Sequence, residues 1–144
     1  MLGPIWQRTC LWADLWFSSR MMPWRVRRRP LKSVLRLAEP STTSRYAGFS
    51  AAYISRAVER VTRHPWLMRD RRCLRRGLLG FRFLSEAGFD PELHFGVDST
   101  SIATDPLVAH CWVSVDGAPV ISDRLQGMAT VLVHSRQGFA PRRA

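Results

Sequence analysis

The chain is poor in cysteine, in acidic residues and in long apolar runs, and each shortage excludes something. Three cysteines, Cys10, Cys73 and Cys111, are too few and too scattered for a disulfide framework, so a reducing, cytoplasmic setting is expected. The first 24 residues carry many aromatics, but Arg8, Asp14 and Arg20 interrupt them, so they hold no apolar run of about 20 residues. The basic start and small-residue cleavage site of a signal peptide are also missing. No Cys-x-x-Cys or His-x-x-x-His pair occurs. A metal site would need Cys73, His94, His110 and a carboxylate to converge, and no metal is the expectation. There is no internal repeat, low-complexity tract or nucleic-acid motif.

What is present suits one domain: 144 residues, 46% of them apolar, enough to bury a core. The net charge of +11 comes mainly from arginine, concentrated in residues 25–32 and 69–76. Such runs are either solvated basic faces or contacts for an acidic partner.

Periodicity divides the chain into helices followed by sheet. Trp12, Leu15, Trp16 and Phe17 share a helical stripe that Pro23 is expected to close. This helix either packs on its own domain or lies on a partner or a membrane surface, and Met21 or Met22 is an alternative natural start. A short helix is predicted over 31–39, ending at Pro40. Residues 41–44 then offer N-caps for a stronger helix that begins near Tyr46 and should stop at His64-Pro65, with Tyr46, Phe49, Tyr53, Ala57 and Val61 on one side. A second strong helix opens at Cys73, runs to about Ala87 and stops at Gly88. Its expected buried stripe is Leu74, Leu78, Phe81 and Leu84 or Ser85.

From Phe89 the period becomes two, and Leu93, Phe95 and Val97 alternate with Glu92, His94 and Gly96 as in a half-buried strand. A strand over 108–115, the hairpin signal Asp116-Gly117, a return through Val120-Ile121 and a last strand over 128–133 complete the pattern. The division read from this is a basic, aromatic helical segment 1–40, a catalytic domain 41–135 and a frayed tail 136–144.

A thiol, an imidazole and a carboxylate fall where nucleophilic chemistry needs them. Cys73 sits at a helix start among arginines, where the helix dipole and cations lower a thiol from about 8.5 into a range of roughly 3.5–7.5. Backbone N–H groups at the same helix start are candidates to hold an oxyanion. With Asp116-Gly117 in a two-residue turn, Val113 pairs with Val120, Trp112 with Ile121, Cys111 with Ser122, and His110 with Asp123. Opposed side chains lie about 4.5–5.5 Å apart at Cβ, close enough for Asp123 to orient the His110 ring. Pro119 makes the strand irregular, and a one-residue slip would bring Ser122 opposite His110 instead. Cys111 should face the core, and Trp112 shields the site or packs.

Several of these segments resemble the transglutaminase-like protease half of the lasso peptide biosynthesis B proteins, which remove a leader from a ribosomally made precursor. They are Pro65-Trp66, Arg72-Cys73-Leu74-Arg75-Arg76, Leu84-Ser85-Glu86-Ala87-Gly88-Phe89, Leu93-His94-Phe95-Gly96-Val97, Ala109-His110-Cys111-Trp112-Val113, and Val115-Asp116-Gly117-Ala118-Pro119-Val120. Pro23-Trp24-Arg25 is similar to the family's amino-terminal region, though less specifically. Cys111 stands where a small alanine is usual, and Ser114 where an acid is often seen.

The resemblance implies an α+β, papain-related fold with a triad carried by Cys73, His110 and Asp123. It implies a cysteine peptidase that binds no cofactor itself, working beside a macrolactam cyclase whose ATP dependence would belong to that partner. The small leader-binding domain of some members is not expected in this chain, so the resemblance implies a separate leader-recognition protein. Two other functions stay open: acyl transfer to an amine by the same triad, and a non-catalytic basic module on nucleic acid or an anionic membrane.

Overall fold

The computed structural model describes residues 4–39, 45–64, 71–103, 108–122 and 126–141. Within them, helices occupy one face of a five-stranded antiparallel sheet of order β3-β2-β1-β4-β5. The expected α+β class is the one observed.

Helix α1 (Pro4–Val26) runs through Pro23 rather than stopping there. A proline this close to a helix end removes one donor, and only the last turn lies beyond it. The buried face is also displaced from the predicted stripe. Leu11, Leu15, Ser19, Met22 and Val26 recur at steps of three or four and are buried, whereas Trp16, Phe17 and Trp24 are exposed. The helix is apolar on two sides, so the aromatic stripe and the packing stripe were easily exchanged.

After α2 (Leu31–Leu35) and a 3-10 turn (Arg36–Ala38), α3 spans Ala51–Val61, five residues later than predicted. Gly48 at φ +102° turns the chain, and Ser50 caps the helix by accepting from the Tyr53 N–H at 3.2 Å. Tyr46 therefore precedes the helix. It is fully buried, stacks on Phe83 with ring centroids 5.8 Å apart, and donates its hydroxyl to Asp14. The predicted caps at 41–44, and Pro40, Pro65 and Trp66, lie outside the described residues.

Helix α4 (Arg72–Glu86) is the centre of the molecule, packed against α1 and α3 on one side and β1, β2 and β3 on the other. Leu78, Leu79, Phe81, Phe83 and Leu84 are buried, and burying one such side chain contributes about 1.5–3 kcal/mol. Its end matches expectation, with Gly88 at φ +92° and the Phe89 N–H bonded to the Leu84 carbonyl. Close approach to the sheet depends on two glycines. A Cβ on Gly80 would stand 2.3 Å from Ile121 Cδ1, and one on Gly77 2.7 Å from Leu93 Cδ1.

The sheet comprises β1 (Pro91–Asp98), β2 (Ala109–Val115), β3 (Ala118–Ile121), β4 (Met128–Ser135) and β5 (Gly138–Pro141). Asp116 and Gly117 both have positive φ, 52° and 76°, as a two-residue hairpin turn requires. Beyond that turn the pairing departs from prediction. Val115 faces Ala118 and Ser114 faces Pro119, but a one-residue shift then sets Val113 opposite Ile121. The opposition of Val113 with Val120 and of Trp112 with Ile121 does not occur, and β3 ends before Ser122. Proline cannot donate to the ladder, and the irregularity falls next to it. The opposition of His110 and Asp123 derived from the regular register thus loses its basis, and Asp123 lies outside the described residues. Residues 138–141, expected as frayed tail, instead pair with β4.

Candidate active site

Cys73 is the second residue of α4 and is half-buried. The residue before that helix, Arg71, adopts a left-handed conformation at φ 52° and turns the chain sharply into it. Across from the first turn lies Cys111 on β2, buried to 4% exposure. A Cβ on Gly77, one turn beyond Cys73, would lie at ordinary contact distance, 3.5 Å, from Cys111 Sγ, so that face of α4 looks onto Cys111, and both cysteines line one cleft.

The two thiols are therefore neighbours, and their acidities separate. A hydrogen bond from the Cys111 side chain is the largest influence on Cys73 and lowers its pKa to about 5 against the opposing effect of burial. The charge of His110 and the backbone N–H groups of Cys111 and Leu74 act in the same lowering direction. Cys111 is pushed the other way, by its bond to Cys73 and by burial, so it remains a protonated donor. With its pKa lowered to about 5, Cys73 is the thiolate of the pair at neutral pH.

His110, at the start of β2, lines the same cleft as Cys73. Its Nε2 is buried and meets no hydrogen-bond partner among the described residues. The cleft has a volume of about 470 Å³, and besides Cys73, His110 and Cys111 it is walled mainly by Leu31, Leu74, Phe95, Val97, Val131 and Leu132, with Arg71 at its edge. A slightly larger groove of about 510 Å³, between α1 and α3, is lined by Trp12, Trp16, Arg60 and His64 among others, and no thiol lies in it. Size alone would select the wrong depression, and the nucleophile decides between them.

A family model for the transglutaminase-like superfamily matches residues 17–137. The chain belongs to the transglutaminase-like superfamily. Comparison with the curated proteins and with the solved structures gave no match. The family match begins at residue 17, inside α1.

Two of the sequence-predicted site residues, Cys73 and His110, come together in this domain, while Asp123 falls outside the described residues. His94 does not join them. It stacks on Trp112 at 5.3 Å and hydrogen-bonds Ser114 Oγ at 2.7 Å, in a separate depression with Glu92. Among the described residues no group of three or more His, Cys, Asp or Glu side chains is placed to hold a metal ion. Trp112 is a packing residue: its ring carbons lie within 2.9 Å of where a Cβ on Gly96 would stand. Sequence reasoning assigned Cys111 to the core alone and missed its contact with Cys73.

Proposed function

We propose that this domain is a cysteine peptidase, and that its substrate is the precursor of a lasso peptide, whose leader it removes. The pairing of a thiolate at Cys73 with His110 in one cleft carries the proposal. Membership of the transglutaminase-like superfamily is compatible with it, and the lasso assignment rests on the segments quoted from the sequence.

In this reading the Cys73 thiolate attacks the carbonyl carbon of the scissile amide, and the C–N bond breaks as His110 protonates the departing amine. Water, deprotonated by His110, then attacks the thioester carbonyl and releases the acid, returning the proton through the imidazole to the active-site pair. N–H groups at the start of α4 would stabilise the oxyanion of each tetrahedral intermediate. Asp123 is the proposed third member. The buried Nε2 of His110, which has no partner among the described residues, is the position where a carboxylate would fix the ring's tautomer. A separate leader-recognition protein and a macrolactam cyclase are the proposed partners.

The test is incubation of the purified chain with a lasso precursor peptide, with and without a leader-recognition protein, read by mass spectrometry. Free leader plus core, abolished by Cys73→Ala and reduced by about 10²–10⁴ in His110→Ala, supports the proposal. Cleavage that survives Cys73→Ala refutes it, and a leader or core cross-linked to an amine would assign acyl transfer instead.

A further inference from the structure

Helix α1 has two apolar sides, and the domain uses only one of them. Leu11, Leu15, Ser19, Met22 and Val26 are buried, while Ile5, Trp6, Trp16, Phe17 and Trp24 are each 53–81% exposed. Trp6, Thr9, Ala13, Trp16, Arg20 and Trp24 recur at steps of three or four, so they form one stripe on the side turned away from the core. From Ile5 to Trp24 that stripe is about 28 Å long, at a rise of about 1.5 Å per residue. Among the described residues, five of the nine exposed large apolar side chains, and every exposed aromatic one, belong to this helix. Single exposed apolar residues are ordinary, but a continuous line of them marks a contact surface.

Cations surround the stripe. Arg20 lies within it, its guanidinium 3.7 Å from the centre of the Trp16 ring. Exposed Arg8 and Arg25 flank it, and exposed Arg27, Arg28 and Arg29 follow the helix end. Asp14 is the only acid in residues 4–29, and it is paired with Arg45. The groove between α1 and α3 opens on the same side, because Thr9, Ala13, Trp16 and Arg20 line it together with Arg60 and His64. Its guanidinium groups are of the kind that grips phosphate in two-point contact.

A partner for this face has to accept aromatic rings along a line and supply negative charge around them. The interface of an anionic bilayer does both, since indole rings settle at the headgroup level, apolar side chains reach the acyl boundary and arginines meet phosphates. A nucleic acid would match the charge but leave Ile5 and Phe17 without an apolar layer. Among the described residues no helix is long and apolar enough to cross a membrane, and Arg8, Asp14 and Arg20 interrupt α1, so the contact runs along the surface. We propose that the outer face of α1 docks this domain on an anionic lipid surface, with the helix in the plane of the interface, Trp6, Trp16, Phe17 and Trp24 inserted, and Arg20 and Arg25 at the lipid phosphates. The proposal is independent of the peptidase reading, because none of these residues lines the Cys73 cleft.

The test is co-sedimentation of the full chain with sucrose-loaded vesicles, either phosphatidylcholine alone or phosphatidylcholine with about one third phosphatidylglycerol. Binding to the anionic vesicles should be about tenfold tighter or more, and lipids brominated in the acyl chain should quench the tryptophan fluorescence. Trp16→Gln combined with Phe17→Gln, checked for retained fold by circular dichroism, should weaken that binding about tenfold or more. Ile102→Gln, at a similarly exposed apolar residue outside α1, should leave it unchanged. Trp24→Gln, at a position 81% exposed, repeats the test where no packing is lost and should also weaken binding. Failure to bind anionic vesicles overturns the proposal, as does binding that neither α1 variant reduces, which would be adhesion by charge alone. A second copy of the chain or a single-stranded oligonucleotide that binds without lipid, and is released by the same double variant, also overturns it by giving the face a different occupant.

Discussion

Cys111 on β2 faces the first turn of α4, where its side chain is the largest influence lowering the Cys73 thiol while its own is pushed up, so that one cysteine is held as acid and the other as thiolate. The pair divides one proton between two sulfurs of very different surroundings. Cys73 meets the helix start, the charge of His110 and two backbone N–H groups, while Cys111 is enclosed. Replacing Cys111 with alanine removes the largest influence on Cys73. In Cys111→Ala the Cys73 titration, followed by thiolate ultraviolet absorbance, should move upward from about 5 toward the ordinary thiol value. The substitution deletes only one small buried atom, so the fold should survive with a loss of about 1 kcal/mol. An unmoved titration would show that the helix start and His110 suffice.

The acidity of Cys73 also links stability to pH. Its pKa is lowered on folding, so it contributes stability in full above the unfolded thiol's value and loses it as pH falls through about 5. Buried His134 acts in the same direction. Burial holds its pKa below the usual 6.5, so acid protonates the unfolded chain first. Unfolding free energy from denaturant titrations should therefore decline from pH 9 toward pH 5. In Cys73→Ala the decline should be shallower, leaving mainly the part below the histidine's ordinary value.

Gly80 tests the packing that brings α4 onto the sheet. Alanine there gains about 1 kcal/mol of helix propensity but drives a Cβ to 2.3 Å from the fully buried Ile121, which overpacking penalises by about 1–3 kcal/mol. Gly80→Ala should be net destabilising by about 1–2 kcal/mol. Gly96→Ala should be worse, because its Cβ would meet the Trp112 ring and the Ala129 carbonyl oxygen at 3.0 Å, a backbone atom that cannot turn aside.

The elements that carried strong local chemistry were legible. Asp116-Gly117 announced a turn with two positive φ values, Gly88 ended α4, and the switch from helical to alternating period placed the sheet after Phe89. Positions with two satisfactory answers were not. Helix α1 presents apolar residues on opposite sides, and periodicity cannot say which side meets the domain. The cap of α3 depended on Gly48 and Ser50, beyond the more numerous serines and threonines at 41–44. The hairpin register was correct for two pairs and failed next to Pro119, where a missing donor let the strand shift. At the candidate site, residue types and helix position pointed to Cys73 and His110, which line one cleft. The Cys111 contact required knowing that a glycine on one element faced a sulfur on another.

The most direct measurement of the central claim is the rate of iodoacetamide alkylation at Cys73 as a function of pH, resolved from Cys10 and Cys111 by mass spectrometry. The account predicts a rate that rises through an inflection near pH 5 and is on its plateau by pH 7, with Cys111 unreactive. An inflection near pH 9, with Cys73 alkylated no faster at neutral pH than an ordinary thiol, would contradict it.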